Sequence, residues 1–181
     1  MPTFVVLLRG VNVGKAKRVP MTDFKALLIG VGCTSATTLL NSGNAVVEAP
    51  RQASATLAGK VADAIEMQLG LQVPVVVKSV AELRRIIVGN ELAREAPDHS
   101  KLVVAFAQTP RSLEPLDAVA RLTLPAERFL IRQHAAYLHC PTGILGSKAA
   151  EALLGRAGKG VTTRNWATVL KLQALASRSA A

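Results

Sequence analysis

The sequence predicts an α+β protein made of two ferredoxin-like (α/β-plait) halves, with antiparallel sheets and helices packed on one face. Three observations predict it. Residues 1–80 read as strand, helix, strand, strand, helix, strand, which is the split βαβ order. From residue 102 the same succession starts again, without obvious residue identity. Between them lies a polar stretch, 90–101, that reads as a linker. The expected division is therefore residues 1–80 as the first half, 81–101 as a connecting helix and linker, and 102–181 as a second related half with C-terminal helices.

Each element has its own justification. Residues 4–8 form a continuous apolar run with β-branched content, the pattern of a strand covered on both faces. Phe24, Leu27, Leu28 and Val31 recur at helical spacing, and Gly30 and Gly32 supply the stop. Runs 37–40 and 45–47 are short strands joined by Ser42-Gly43-Asn44, a tight-hairpin signal. A second helix follows on Leu57, Val61, Ile65 and Leu69, then Gly70, then a strand over 73–77. Residues 81–88 read as a helix with Leu83, Ile86 and Ile87 as its apolar stripe. In the second half, strands are expected at 102–107, 129–131 and 137–140, and a helix near 116–122. Helices over 148–154 and 165–176 complete the pattern.

Composition narrows the class. Half the residues are apolar and only 3% are aromatic, so the core is aliphatic and disorder is excluded. The run 4–8 stops at Arg9, too short for a signal-peptide core or a membrane span, so a cytoplasmic location without membrane association is expected. Cys33 and Cys140 show no ligand spacing and read as small apolar residues, with no disulfide or zinc site and no cofactor expected. The formal charge is +10; residues 1–22 hold four bases and no acid, and residues 128–181 hold eight bases and only Glu151. A bias of that kind suits an acidic partner, though a solvated basic surface looks the same.

The most informative stretch is Leu8-Arg9-Gly10-Val11-Asn12-Val13-Gly14 with Lys15, Lys17 and Arg18 behind it. Glycines, an amide and four bases directly after a buried strand present backbone N–H groups and positive charge where an anion could sit. Gly14-Lys15 is not a Walker A loop: the spacing from Gly10 is one residue short, and Ala16 stands where Mg²⁺ coordination needs Ser or Thr. In the plait topology the first and third strands are antiparallel neighbours, so loop 9–18 is expected to face Ser42-Gly43-Asn44. The ligand-binding candidates are accordingly Arg9, Gly10, Asn12, Gly14, Lys15, Lys17, Arg18, Ser42, Gly43 and Asn44.

Lys148, Arg164 and Asn165 complete the set. Ser147-Lys148 and Thr163-Arg164-Asn165 each read as a hydroxyl N-cap with a base just inside the helix, where a cation opposes the helix dipole. Trp166, with Val169 and Leu170, reads as core packing. His139 and Cys140 are strand neighbours and point to opposite faces, so they form no Cys-His pair.

The motifs LLRGVNVG, VPM, LNSGNAVV, GSK and TRNWATVLKL, in this order, resemble the bacterial family catalogued as domain of unknown function 1697. The resemblance runs from Phe4 to about Ala176 and implies an α/β-plait architecture of two related halves, without an established activity. This chain departs from the family pattern at Lys15-Ala16-Lys17-Arg18, at Asn41 and at Ala167, the last where the family usually has Asn. Three functional classes stay open: a binder of a nucleotide, nucleic acid or phosphorylated small molecule, an enzyme of unknown class acting on an anionic small molecule, and an interaction module with no ligand.

Overall fold

The computed structural model describes residues 1–15 and 17–179, so Ala16 of the basic loop lies outside the described residues. The chain divides into two compact units, one of residues Met1–Leu83 with the chain's end from Leu172, the other of Arg84–Lys171.

The first unit runs β1 (Thr3–Leu8), α1 (Met21–Gly30), β2 (Ser35–Leu39), β3 (Asn44–Glu48), α2 (Ser54–Leu69), β4 (Val75–Ser79). Its four strands form an antiparallel sheet in the order β2-β3-β1-β4, the ferredoxin-like arrangement. All six residues of β1 are buried, as a central strand covered on both faces requires. Side-chain alternation sends Phe4, Val6 and Leu8 to one face, together with Ala45, Val47 and Val77. There they meet Phe24, Leu27 and Leu28 of α1 and Leu57, Val61 and Ile65 of α2. Each fully buried Leu or Phe contributes about 1.5–3 kcal/mol. The helix α2 ends at Gly70, whose φ of 63° is the left-handed stop that glycine supplies. Strand β4 begins at Val75, two residues later than the apolar run, because Pro74 has no N–H to give a sheet ladder.

The other face of this sheet carries Val5, Leu7, Val46 and Val76, and also Lys78, which is only 2% exposed. Burial lowers the Lys78 ammonium below its ordinary pKa, with the Glu82 charge opposing the shift. Glu82 itself closes a capping box at the start of α3 (Val80–Val88). Ser79 Oγ accepts from Glu82 N at 3.2 Å, and Glu82 Oε2 accepts from Ser79 N at 2.7 Å and from Ser54 Oγ at 2.6 Å. Burial works against the ionised carboxyl, but the bonds from Ser54 and Ser79, with the Lys78 charge, outweigh it and hold its pKa below the ordinary value. Ser79→Ala is expected to cost about 1 kcal/mol in chemical denaturation at neutral pH. A carboxyl with a depressed folded-state pKa stabilises above its unfolded value and loses that contribution as pH falls through the folded one, so the deficit should shrink below pH 4.5.

The second unit begins within α3 and passes through two 3-10 helices, Glu91–Glu95 and His99–Lys101, so the stretch expected as a linker has local structure of its own. Then come β5 (Leu102–Ala107), a 3-10 helix Pro110–Leu116, α4 (Asp117–Ala120), β6 (Arg128–Ile131), β7 (Ala135–His139), α5 (Lys148–Leu154), β8 (Val161–Asn165) and α6 (Trp166–Ser179). The antiparallel order β6-β7-β5-β8 repeats the topology of the first unit. One face packs Val103, Ala105, Leu138 and Cys140 against Leu113, Leu116, Val119, Ala150 and Leu153. The α+β class with two plait halves is therefore what the structure shows.

Two local expectations are corrected. The helix expected at 116–122 is the short α4 behind a 3-10 segment, since Pro115 has no N–H for an α-helical bond. Strand β8, pairing with β5 from Val103↔Asn165 to Ala107↔Val161, occupies residues expected to cap and begin a helix.

Candidate functional site

In the first unit the loop leaving β1 and the hairpin between β2 and β3 meet as the topology requires. Leu8 N donates to Gly43 O at 2.8 Å, and the loop folds back over the hairpin at Val11. Gly43 is the contact point: its φ is +78°, and a Cβ there would lie 2.5 Å from Leu8 Cβ and 2.9 Å from Val11 Cγ2. Only a residue without a side chain admits that approach.

Asn12 holds the loop in shape. Its Nδ2 donates to Val19 O at 2.8 Å and to Asn41 O at 2.7 Å, and its Oδ1 accepts from Val19 N at 2.9 Å. One side chain thereby ties the two ends of the loop together and fastens them to the hairpin. Its φ of 56° is left-handed, a conformation asparagine tolerates better than most residues. Gly10 (φ 66°) and Gly14 (φ 57°) are left-handed too, alternating with residues of negative φ. Residues of alternating hand can turn successive N–H groups toward one side of the chain. The N–H groups of Arg9 and Asn12 donate to Pro74 O and Lys17 O, whereas those of Gly10, Val13 and Gly14 have no acceptor among the described residues.

The candidates differ in what they present. Lys15, Lys17 and Arg18 are exposed and Arg9 is half-buried. Lys17 Nζ donates to Gln72 O, and Arg18 Nη2 to Gly14 O at 3.4 Å. Asn44 is fully buried, and its amide donates to Leu39 O and Ser42 Oγ, both at 3.0 Å. The amide donors of Asn12 and Asn44, which the sequence offers to a ligand, are thus engaged within the chain and build the scaffold. Helix α1 starts next to this loop after Pro20, with no side chain capping it, and Asp23 is the first acid of the chain.

Lys148, Arg164 and Asn165 belong to the second unit. Lys148 is exposed at the start of α5, where Ser147 Oγ accepts from Ala150 N at 3.1 Å, the expected cap. Thr163 is no cap. It lies on β8, and Asn165 caps α6 instead, its Oδ1 accepting from Thr168 N at 2.9 Å. Arg164 is not in a helical first turn but buried on β8, where Nη1 donates to Thr162 Oγ1 at 2.9 Å and to Thr163 O at 2.7 Å. Burial lowers its guanidinium pKa to about 10, so it stays charged at neutral pH.

Cys140 lies in the second core with its Sγ 3.5 Å from Ser147 Oγ, and burial chiefly pushes its thiol pKa up, which makes it a poor nucleophile at neutral pH. Among the described residues no group of three or more His, Cys, Asp or Glu gathers as a metal site would. No helix among them is long and apolar enough to cross a membrane. The sequence missed Lys78 and the Ser79–Glu82 box; the Ser-x-x-Glu spacing was the legible sign of the box.

Fold and site together define an α+β protein of two plait units, with a glycine-containing basic loop seated on the rim of the first sheet. The chain belongs to the family described as Protein of unknown function (DUF1697), whose family model matches residues 1–137. Its fold is similar to that of the conserved bacterial protein SP0830 from Streptococcus pneumoniae, which is 18% identical, with a TM-score of 0.79 over 96% of this chain and 98% of that one. No curated protein matches the sequence.

Proposed function

We propose that this chain is a cytoplasmic protein that binds a phosphate-bearing ligand on loop 10–18 of the first unit. The observation that carries the reading is a backbone of alternating hand, fixed by Asn12 to the hairpin, with exposed cations on it and no acid before Asp23. A preorganised loop binds without the entropic cost of ordering itself. Lys15 and Arg18 supply charge, and the N–H groups of Gly10, Val13 and Gly14 supply donors. The reading favours phosphate recognition over base stacking, since Phe4 and Phe106 are both buried and give the sheets no stacking platform there.

Thermal unfolding with ATP, AMP, pyrophosphate and a short oligonucleotide tests it. A ligand at a hundred times its Kd should stabilise the protein by about 2.7 kcal/mol. The double variant Lys15→Glu, Arg18→Glu should melt close to the wild type, because both side chains are exposed and Arg18 gives up only its long bond to Gly14 O, and should lose that gain. If the oligonucleotide is the ligand, its affinity should fall steeply with salt. A ligand-induced shift that survives the double reversal, or no shift with any of the four probes, refutes the reading.

A further inference from the structure

The outer side of α5 presents a second surface that the loop reading does not use. Lys148, Glu151 and Leu154 recur every three residues on that side, while Ala149, Ala150 and Leu153 face the core. Leu154 is 51% exposed and Leu145, just before the helix, is 97% exposed. Two adjoining grooves of about 440 and 460 Å³ run here and share Glu151 and Gly155. Ile144, Leu145 and Leu154 line one; Leu122, Lys148 and Arg156 line the other. Leu122, Leu145 and Leu154 thus lie open to water along the two grooves.

Charge says what kind of partner fits. Neither Lys148 nor Arg156 has a hydrogen-bond or ion-pair partner through its side chain among the described residues. Lys148 also sits in the first turn of α5, where a cation works against the helix dipole, so the helix gains nothing from it. Glu151 is the only acid from residue 128 onward, against eight bases.

We propose that this surface docks an acidic, leucine-bearing segment of a partner protein. Its apolar side chains cover Leu122, Leu145 and Leu154, and its carboxylates pair with Lys148 and Arg156. Glu151, lying between the two cations in sequence, repels carboxylates placed over it and so sets the register.

The test is fluorescence anisotropy of the full chain with a labelled synthetic peptide carrying leucine on one helical face and glutamate on the other, beside a twin with lysine in place of glutamate. The glutamate peptide should bind at least about tenfold more tightly than its twin. Affinity should drop about tenfold in Lys148→Glu, Arg156→Glu and in Leu145→Asp, Leu154→Asp, and rise in Glu151→Lys. All these side chains are exposed, so melting temperatures should not move; the loop variant Lys15→Glu, Arg18→Glu should bind the peptide as the wild type does. Equal binding of both peptides, no binding of either, or binding that the groove variants leave unchanged overturns the proposal. So does a surface that takes up dodecanoate and ignores the peptides.

Discussion

Gly43→Ala is expected to destabilise the protein by about 3 kcal/mol, from two costs that add at one atom. The backbone there has φ +78°, so any Cβ is strained by roughly 1–2 kcal/mol before it meets a neighbour. That Cβ then meets Leu8 Cβ at 2.5 Å and both Leu8 Cγ and Val11 Cγ2 at 2.9 Å. Leu8 is held by its ladder partner Val75 and by core packing, so it has no free end to swing away. Relief requires the hairpin and the end of β1 to separate, which breaks the Leu8 to Gly43 hydrogen bond. The melting temperature should fall by about 10 °C. A variant that melts within about 1 °C of the wild type would show that the close approach of hairpin and loop is wrong.

Asn12→Ala should cost nearly as much, about 3 kcal/mol, for a different reason. It deletes three hydrogen bonds, leaves the N–H of the buried Val19 without its acceptor, and puts alanine at φ 56°. Asn12→Gly keeps the backbone freedom and loses only the bonds, so it should cost about 2 kcal/mol. The difference between the two isolates the conformational part. Both should abolish any phosphate-induced stabilisation, because the loop no longer holds its N–H groups in place. Urea denaturation at equal protein concentration measures the stabilities, and the ligand titrations above measure the response. Equal stability losses for the two variants would show that the positive φ carries no cost.

Much of this was legible because it is local. The run 4–8 and the Phe24, Leu27, Leu28 spacing define β1 and α1, and the Ser42-Gly43-Asn44 turn fixes the hairpin. The topology then forces loop and hairpin together. What the sequence concealed depends on distant partners. Val161-Thr-Thr-Arg-Asn165 has little apolar alternation, and it becomes a strand because β5 offers an unpaired edge more than fifty residues away. Capping chemistry is visible there but points to Thr163, two residues before the actual cap, since Thr163 and Asn165 are both good caps and only pairing decides between them. The roles of Asn12 and Asn44 were likewise half legible: an amide in a loop fits a ligand or a neighbouring carbonyl equally well, and the acceptors on Asn41 and Leu39 come into reach only on folding.

The placement of Trp166 and Tyr137 decides how these experiments have to be read. They are the sole tryptophan and tyrosine of the chain, both buried and both in the second unit. Indole emission and near-ultraviolet dichroism therefore follow that unit, while the first unit, with Gly43 and Asn12, contributes only the weak bands of Phe4 and Phe24. A fluorescence melt could look native while the basic loop has already come apart. Far-ultraviolet dichroism or amide exchange is the readout that sees it.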